Sequence, residues 1–267
     1  MSASSTGGRL RADALTLGYD GPDIVRELSL TVPDAAVTAV IGPNGCGKST
    51  LLRGLGRLLA PRSGAATLDG EPLAKLSTRH VATQLSVLPQ TPAAPSGLTV
   101  ADLVSRGRHP RQKWYQQFSV SDEAVVLDAL AATDSLELAD KPLEDLSGGQ
   151  RQRAWISMTL AQETDILLLD EPTTYLDLAH QVEVLELVRR LNRDRGRTVV
   201  MVLHDISLAA RYSDHMVAMK DGRIVAQGTP AEVVTPELLL EIFGLAAQVV
   251  QEPTAGRPHV IPLGAGV

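Results

Sequence analysis

The chain has one cysteine, no surplus of basic residues and no long apolar run, and each of these absences excludes a class of protein. A single cysteine cannot form an internal disulfide, so nothing in the sequence requires an oxidising compartment. The 25 basic and 31 acidic side chains give a net charge of -6, which does not suit neutralisation of a nucleic-acid backbone. The sequence therefore predicts a cytosolic protein with no nucleic-acid partner.

No stretch of the sequence approaches the ~18 apolar residues that cross a bilayer, and residues 1–20 lack the apolar region of a signal peptide. A role at a membrane would therefore require docking onto another protein. Apolar residues make up 44% and charged residues 21% of the 267, which is ordinary for a chain that folds throughout. The length suits one large α/β domain or two small ones.

The first third of the chain predicts strands followed by a strand, loop and helix. Short alternating runs broken by glycine and proline between residues 10 and 32 predict strands of an edge sheet. Residues 36–41 form an apolar run, a glycine-rich loop follows, and leucines then recur at helical spacing from Leu51 to Leu59. This order predicts a buried strand that leads through the loop into a helix.

The middle of the chain predicts a mostly helical insertion, because polar and proline-containing stretches between residues 89 and 142 surround one amphipathic segment. Beyond it, buried-strand runs at residues 166–169 and 198–203 flank a helix at residues 182–191. Such alternation predicts a parallel sheet flanked by helices. The tail after Val249 is rich in proline and glycine, and its sequence indicates no role.

The glycine-rich loop matches the pattern G-x-x-x-x-G-K-[ST] of a phosphate loop, and the flanking strand and helix argue against an ordinary glycine-rich turn. Glycines let several backbone N–H groups point at one anion, and the following helix adds its positive end. Lys48 supplies a charge to the β- and γ-phosphates, and the Ser49 hydroxyl is placed to bind Mg²⁺. The predicted nucleotide-binding residues here are Gly42, Pro43, Asn44, Gly45, Cys46, Gly47, Lys48, Ser49 and Thr50.

Asp170 and Glu171 end the apolar run ILLL with two carboxylates. A carboxylate at the carboxyl end of such a strand suits the second Mg²⁺ ligand, usually through water. Glu171 is then placed to orient or deprotonate the water that attacks the γ-phosphate, which is the role of a general base. An isolated acidic pair more often only ends a strand, but a phosphate loop upstream favours the catalytic interpretation.

Ser147, Gly148, Gly149 and Gln150, preceded by Leu146, open a predicted helix. Small residues at a helix N-terminus present backbone N–H groups and a hydroxyl, which makes a second candidate anion site. The first loop already cradles one γ-phosphate, so two anion sites in one chain suggest that two copies sandwich the nucleotide. A capped turn before a helix is the alternative interpretation of the segment by itself.

Together these motifs resemble the ATP-binding cassette (ABC) family, whose signature is LSGGQ, over about residues 10–243. The resemblance implies an α/β fold: a P-loop NTPase core of ABC type with an N-terminal antiparallel β-subdomain and an inserted helical subdomain. It places a single ATPase domain at residues 10–249, the helical insertion at about residues 91–160 and a C-terminal tail at residues 250–267.

The resemblance also assigns roles to four further positions. Tyr19 is similar to the aromatic residue that stacks on adenine. Gln90 is similar to the loop glutamine that binds Mg²⁺ as a ligand and that senses both the Mg²⁺ and the permease. Asp177 is similar to the D-loop aspartate at the dimer seam. His204, after the strand TVVMVL, is similar to the switch histidine that contacts the γ-phosphate. Outside this ordered set, each residue has an ordinary structural or surface interpretation.

The family implies ATP and Mg²⁺ as ligands, and a homodimer bound peripherally beneath integral membrane permease subunits at the cytoplasmic face of the cell membrane. An extracytoplasmic substrate-binding protein would deliver the cargo. Gln90 and the helical insertion, including Arg106 to Arg111, are expected to grip the permease.

A narrower resemblance lies in GRHP at residues 107–110, EPTTYLDLAHQ at 171–181 and HDISLAARYSDH at 204–215, which are similar to ATPases of ferric-siderophore uptake. Haem and cobalamin importers are close relatives, and the cargo rests on analogy because it passes through separate permease subunits. A soluble ABC ATPase acting on ribosomes or DNA usually carries paired cassettes or long coiled-coil insertions. A phosphate-loop kinase would leave LSGGQ unexplained.

Overall fold

The computed structural model describes residues 8–90, 92, 94–112, 118–174 and 176–265. The chain divides into two compact units. The first combines the residues up to Leu76 with those from Gly196 onward, and the second is formed by Ser77 to Arg195.

Both units contain strands and helices. In chain order the strands are β1 (Leu10–Leu17), β2 (Val25–Thr31), β3 (Val37–Ile41), β4 (Ser63–Leu68), β5 (Glu71–Pro72), β6 (Leu85–Leu88), β7 (Ile166–Asp170), β8 (Thr198–Val202), β9 (His215–Lys220), β10 (Arg223–Gly228), β11 (Leu245–Gln251) and β12 (Pro258–Ala265). The α-helices are α1 (Lys48–Leu55), α2 (Thr78–Gln84), α3 (Val100–Ser105), α4 (Val120–Ala132), α5 (Gly148–Ala161), α6 (Leu178–Arg195), α7 (Ile206–Tyr212), α8 (Pro230–Val233) and α9 (Pro236–Phe243).

The first unit contains an antiparallel sheet and a mainly parallel set of strands. The antiparallel sheet has the order β2-β1-β4-β5, and its first two strands lie in the segment 10–32 that the alternating pattern marked as edge sheet. Strand β3 pairs in parallel with β8 and β9, and β10 adds an antiparallel edge. All residues of β3 and β8 are buried, which accounts for their predominantly apolar sequences.

The second unit pairs β6 and β7 in parallel and is otherwise helical. Helix α5 packs against α3 and α4, and its buried residues include Ala154, Ile156 and Leu160. Helix α6 contains the helix expected at residues 182–191. The range 91–160 proposed for the insertion lies within this unit, and the domain bounds themselves stay predictions.

Strands β11 and β12 form a two-stranded antiparallel ribbon that begins five residues before the predicted tail at residues 250–267. Ser207 in α7 accepts a hydrogen bond from the backbone N–H of Val260 at 3.0 Å, and Arg211 pairs with Glu252. The proline and glycine content of this segment concealed the strands. Proline is nonetheless compatible with strands at a sheet edge, where a ladder hydrogen bond is not needed.

Arg108 joins three parts of the second unit through its guanidinium group. Its Nε donates to Asp122 of α4 at 2.9 Å. Its Nη1 donates to the carbonyl of Ala161 at the end of α5 and to Glu163, both at 2.7 Å. The side chains of Arg108 and Asp122 are only 8% and 11% exposed, so this ion pair is largely shielded from water.

We expect Arg108→Met to destabilise the protein by about 3 kcal/mol, because it leaves a buried carboxylate without its partner. The free energy of unfolding would be measured by urea denaturation followed by circular dichroism. The matched control is Arg190→Met, which removes a half-exposed pair with Asp134 and is expected to cost under about 0.5 kcal/mol. Equal effects of the two substitutions would show that the Arg108 pair does not stabilise the unit.

Candidate nucleotide-binding and catalytic site

The phosphate loop connects β3 to α1 in a conformation that depends on glycine. Gly42, Gly45 and Gly47 have φ of 152°, 79° and 106°, values that residues with a Cβ rarely adopt. A Cβ on Gly42 would lie 2.2 Å from the carbonyl oxygen of Met219 in β9. The loop therefore lies directly against the neighbouring strand, and a side chain at this position would displace it.

Lys48 is the first residue of α1, and its ammonium group is fixed inside the loop. Its Nζ donates to the carbonyl oxygens of Gly42 at 2.8 Å and Pro43 at 2.9 Å. The residue is 5% exposed, so the charge is held in place rather than free in solvent. A fixed cation at a helix N-terminus is the arrangement that binds phosphate groups.

Cys46 contributes backbone rather than side chain to this loop. Its residue is buried, and burial raises the pKa of the thiol, although Lys48 acts in the opposite direction. A Cβ on Gly42 would lie 2.8 Å from its sulfur atom, so the thiol packs against the loop. Asn44, by contrast, is exposed at the tip of the loop.

His204 emerges at the same edge of the parallel strands as the phosphate loop. Val40 of β3 pairs with Val202 of β8, and the loop and His204 each follow within two residues of their strand. His204 is exposed. The parallel pairing therefore explains how residues far apart in sequence reach one edge of the first unit.

Tyr19 lies after β1, and 45% of it is exposed. Its hydroxyl accepts a hydrogen bond from Arg53 of α1 at 2.7 Å. The structure thus ties the predicted adenine-stacking residue to the helix that begins at the phosphate loop.

We expect Tyr19→Ala to raise the KM for ATP about threefold to tenfold, because the stacking surface is lost, whereas Tyr19→Phe keeps the ring and should stay within about twofold. Steady-state ATP hydrolysis over a range of ATP concentrations measures both. Equal losses in the two variants would assign the effect to the hydroxyl and its bond to Arg53 instead of the ring.

Glu171 is positioned at the edge of the second unit by two hydrogen bonds. Gln90 donates from Nε2 to Glu171 Oε2 at 2.5 Å, and Thr174 donates from its hydroxyl to the same oxygen at 2.9 Å. Leu88 of β6 pairs with Leu169 of β7, so Gln90 and Glu171 leave their strands at the same edge. Glu171 is 9% exposed, and its carboxylate is held in one orientation by the two hydrogen bonds.

The backbone of Glu171 has φ of 53°, in the left-handed region that a non-glycine residue enters at a cost. Asp170 precedes it as the last residue of β7 and is buried. The chain therefore turns sharply between the two carboxylates. Strain of this kind, at a buried acidic residue beside a strand end, is typical of catalytic positions.

The signature segment begins α5 with a capping box. The Ser147 hydroxyl accepts from the backbone N–H of Gln150 at 3.3 Å, and the Gln150 side chain accepts from the backbone N–H of Ser147 at 3.1 Å. Ser147 and Gly148 are exposed, whereas Leu146 and Gly149 are buried. The segment is therefore a capped turn, as the alternative interpretation predicts, and its first residues are also exposed at the helix N-terminus.

Asp177 lies immediately before α6, and His180 holds its carboxylate. Oδ1 accepts the backbone N–H of His180 at 2.9 Å and lies 2.7 Å from Nδ1 of the His180 ring. The backbone bond, followed by the ring bond, lowers the pKa of Asp177 below its usual value. The lowered pKa keeps Asp177 ionised at neutral pH. Its side chain is also largely exposed.

The predicted site residues form two sets, one in each unit. The first unit contains Tyr19, the phosphate loop and His204, and the second contains Gln90, Asp170, Glu171, the signature and Asp177. Sequence reasoning missed Thr174 and His180. Both lie three residues after an acidic residue at the start of a turn or helix. At this spacing a side chain can form hydrogen bonds with the acidic residue, so the spacing is the sequence signal that could have indicated them.

Comparison with known proteins identifies the family to which the chain belongs. Residues 25–174 match the family model described as ABC transporter. The chain belongs to this family. Its α/β fold of ABC type is confirmed, since a solved structure titled "An inward-facing conformation of a putative metal-chelate type ABC transporter" superposes with a TM-score of 0.83 at 28% identity, covering 96% of this chain and 97% of that one.

Several curated relatives match nearly the whole chain. "Probable siderophore transport system ATP-binding protein YusV" of Bacillus subtilis (strain 168) is 54% identical and covers 100% of this chain and 94% of that protein. "Ferric enterobactin transport ATP-binding protein FepC" of Escherichia coli (strain K12) is 50% identical, with coverages of 96% and 94%. As a member of this family, the chain is an ATPase that binds ATP and serves a membrane-associated transporter.

Across the part of the chain that the structure describes, no helix combines the length and apolar character needed to span a membrane.

Proposed function

We propose that this chain is the ATP-hydrolysing subunit of an importer for ferric siderophores. The observation that carries the proposal is the agreement between the two relatives at 54% and 50% identity. One is named for siderophore transport and the other for ferric enterobactin transport, and the structural neighbour is of metal-chelate type. Chelated ferric iron is the cargo that fits all three names.

In the proposed mechanism, the phosphate loop binds the triphosphate of ATP. The N-terminal N–H groups of α1 point at the phosphates, and Lys48 offsets the charge on the β- and γ-phosphates. Tyr19 stacks on the adenine. The fixed position of Lys48, bonded to two loop carbonyls, supports this assignment because the charge needs no reorganisation when ATP binds.

Glu171 acts as the general base that takes a proton from the attacking water. Its two hydrogen bonds from Gln90 and Thr174 fix the direction of the carboxylate, which a base requires before its reaction begins. Water then displaces ADP from the γ-phosphate and leaves inorganic phosphate, while His204 contacts the γ-phosphate.

The donor set fits Mg²⁺, which prefers hard oxygen ligands. Ser49 offers a hydroxyl and Asp170 a carboxylate. Gln90 offers its amide oxygen, because its Nε2 is already used by Glu171. Held by these residues, the cation would neutralise charge on the β- and γ-phosphates.

Two copies of the chain form the functional unit in this proposal, with the phosphate loop of one facing the signature of the other. The support is the exposed N-terminus of α5 at Ser147 and Gly148, which is a candidate anion site in addition to the phosphate loop. Asp177, exposed before α6, would lie at the seam between the copies.

A cross-linking experiment tests this head-to-tail arrangement. Because the thiol of Cys46 is buried, the test uses Asn44→Cys with Ser147→Cys in a Cys46→Ala, Glu171→Gln background, where both new thiols are exposed. A short bifunctional thiol reagent should give a covalent dimer, and ATP should increase its yield. Single-cysteine controls should stay monomeric. A similar dimer yield from either single-cysteine control would contradict the arrangement.

The proposed dimer binds peripherally to integral permease subunits at the cytoplasmic face of the membrane, and an extracytoplasmic binding protein delivers the cargo. Gln90 and the exposed residues Arg106, His109 and Arg111 form the permease-facing surface. Gly107 and Arg108, which belong to the same predicted surface, are buried and have a packing role instead.

A cargo panel tests the assignment to ferric siderophores. Cells that lack this chain would be complemented with the wild type or with Glu171→Gln, and uptake of labelled ferric siderophores, haem and cobalamin would be measured. We expect only wild-type cells to accumulate a ferric siderophore. If only haem or cobalamin uptake were restored, the assigned cargo would be wrong, whereas the assignment as a transport ATPase would stand.

A further inference from the structure

His180 contacts two groups that the proposed mechanism directs at the partner's nucleotide and at the dimer seam. Its ring lies 2.7 Å from Asp177 through Nδ1. Its Cδ2 lies where a side chain on Gly149 of the signature would have to be, since a Cβ there would come within 2.6 Å. One imidazole therefore lies between the aspartate before α6 and the first turn of α5.

The contact with Gly149 explains why the signature has no side chain at this position. Gly149 is buried, and the three heavy atoms nearest to a Cβ placed on it all belong to the His180 ring. A methyl group would push the ring away from the N-terminal turn of α5. The ring thus sets how close the start of α6 approaches the signature.

The contact with Asp177 sets the direction of its carboxylate. Oδ1 is held both by the backbone N–H of His180 and by the ring, so the carboxylate cannot rotate without breaking a bond. The two side chains are 68% and 41% exposed, and a pair this exposed contributes little to stability. The arrangement therefore suits orientation of Asp177 better than stabilisation of the fold.

We propose that His180 is a positioning residue that fixes Asp177 and the signature relative to each other, so that both reach the partner chain in register. The inference rests on the proposed head-to-tail ATPase dimer. It gives His180 a role in turnover rather than in the initial binding of ATP, because its ring contacts Asp177 and Gly149 of the signature.

The test compares His180→Ala with His180→Asn in steady-state ATP hydrolysis by the full-length chain. Alanine removes the ring contact, whereas the asparagine amide still donates to Asp177. We expect His180→Ala to lower kcat about fivefold to tenfold with KM for ATP within about twofold, and His180→Asn to retain about half of kcat or more. The matched control is Glu183→Gln, which removes the negative charge from the 2.8 Å pair between Arg153 of α5 and Glu183 of α6 and leaves Asp177 unchanged.

A double-mutant cycle separates positioning from a general packing effect. If His180 acts through Asp177, the variant Asp177→Ala/His180→Ala should have the same kcat as Asp177→Ala alone. Multiplied losses in the double variant, a wild-type kcat for His180→Ala, or an equal loss for Glu183→Gln would overturn the inference. Failure of the proposed function is distinguishable, because Glu171→Gln would then hydrolyse ATP as fast as the wild type.

Discussion

Glu171→Gln is expected to lower kcat for ATP hydrolysis by roughly 10²- to 10⁴-fold while ATP still binds. The amide keeps the shape of the side chain, and its oxygen still accepts from Gln90 and Thr174, so the turn at the end of β7 should survive. What is lost is the negative charge and the capacity to take a proton from water. Steady-state phosphate release and equilibrium ATP binding measure the two effects separately.

The control for this result is Glu186→Gln, which makes the same chemical change at an exposed position in α6. It should leave both kcat and ATP affinity unchanged. Wild-type turnover in Glu171→Gln would remove this residue from the mechanism. Loss of ATP binding in that variant would instead indicate that the carboxylate holds the site together.

Lys48→Ala is expected to weaken ATP binding about 10- to 100-fold, in contrast to Glu171→Gln. The ammonium group offsets phosphate charge in the ground state, and a hydrogen bond to a charged group contributes about 1.5–3 kcal/mol. Its removal also leaves the loop carbonyls of Gly42 and Pro43 without this donor. Isothermal titration calorimetry with ATP measures the affinity directly.

Lys75→Ala is the matched control, since this lysine is exposed in the same unit and lies outside the loop. Its affinity for ATP should equal that of the wild type. Thermal unfolding of Lys48→Ala must be measured alongside, because a collapsed loop would lower affinity for another reason. Undiminished ATP affinity in a folded Lys48→Ala variant would contradict the phosphate-loop assignment.

The positions of the strand-end residues could be predicted from sequence because they depend on local pattern. Apolar runs in the sequence predicted the buried strands β3, β7 and β8, and the glycine pattern predicted the loop after β3. Functional side chains in parallel sheets follow the carboxyl ends of the strands, so the motifs themselves indicated Asp170 and Glu171 at the end of β7 and His204 after β8. The identity of the family followed from these ordered motifs.

The contacts between distant residues could not be predicted from one sequence. Gln90 and Glu171 are 81 positions apart, and only the pairing of β6 with β7 brings them together. The motif GRHP indicated a subfamily and a permease surface. In the structure, a Cβ on Gly107 would lie 2.3 Å from the carbonyl oxygen of Met158, and Arg108 is buried in an ion pair. Whether such residues pack inside the unit or form a surface depends on their burial, which the local sequence pattern does not show.

The most direct test of the account is ATP hydrolysis and cargo transport by this chain reconstituted with its permease subunits in proteoliposomes. With a binding protein loaded with a ferric siderophore outside and ATP at the face that carries this chain, the account predicts that the label accumulates on the ATP side. Hydrolysis should accelerate at the same time, and Glu171→Gln should abolish both. ATP hydrolysis that neither moves the siderophore nor responds to it would contradict the account.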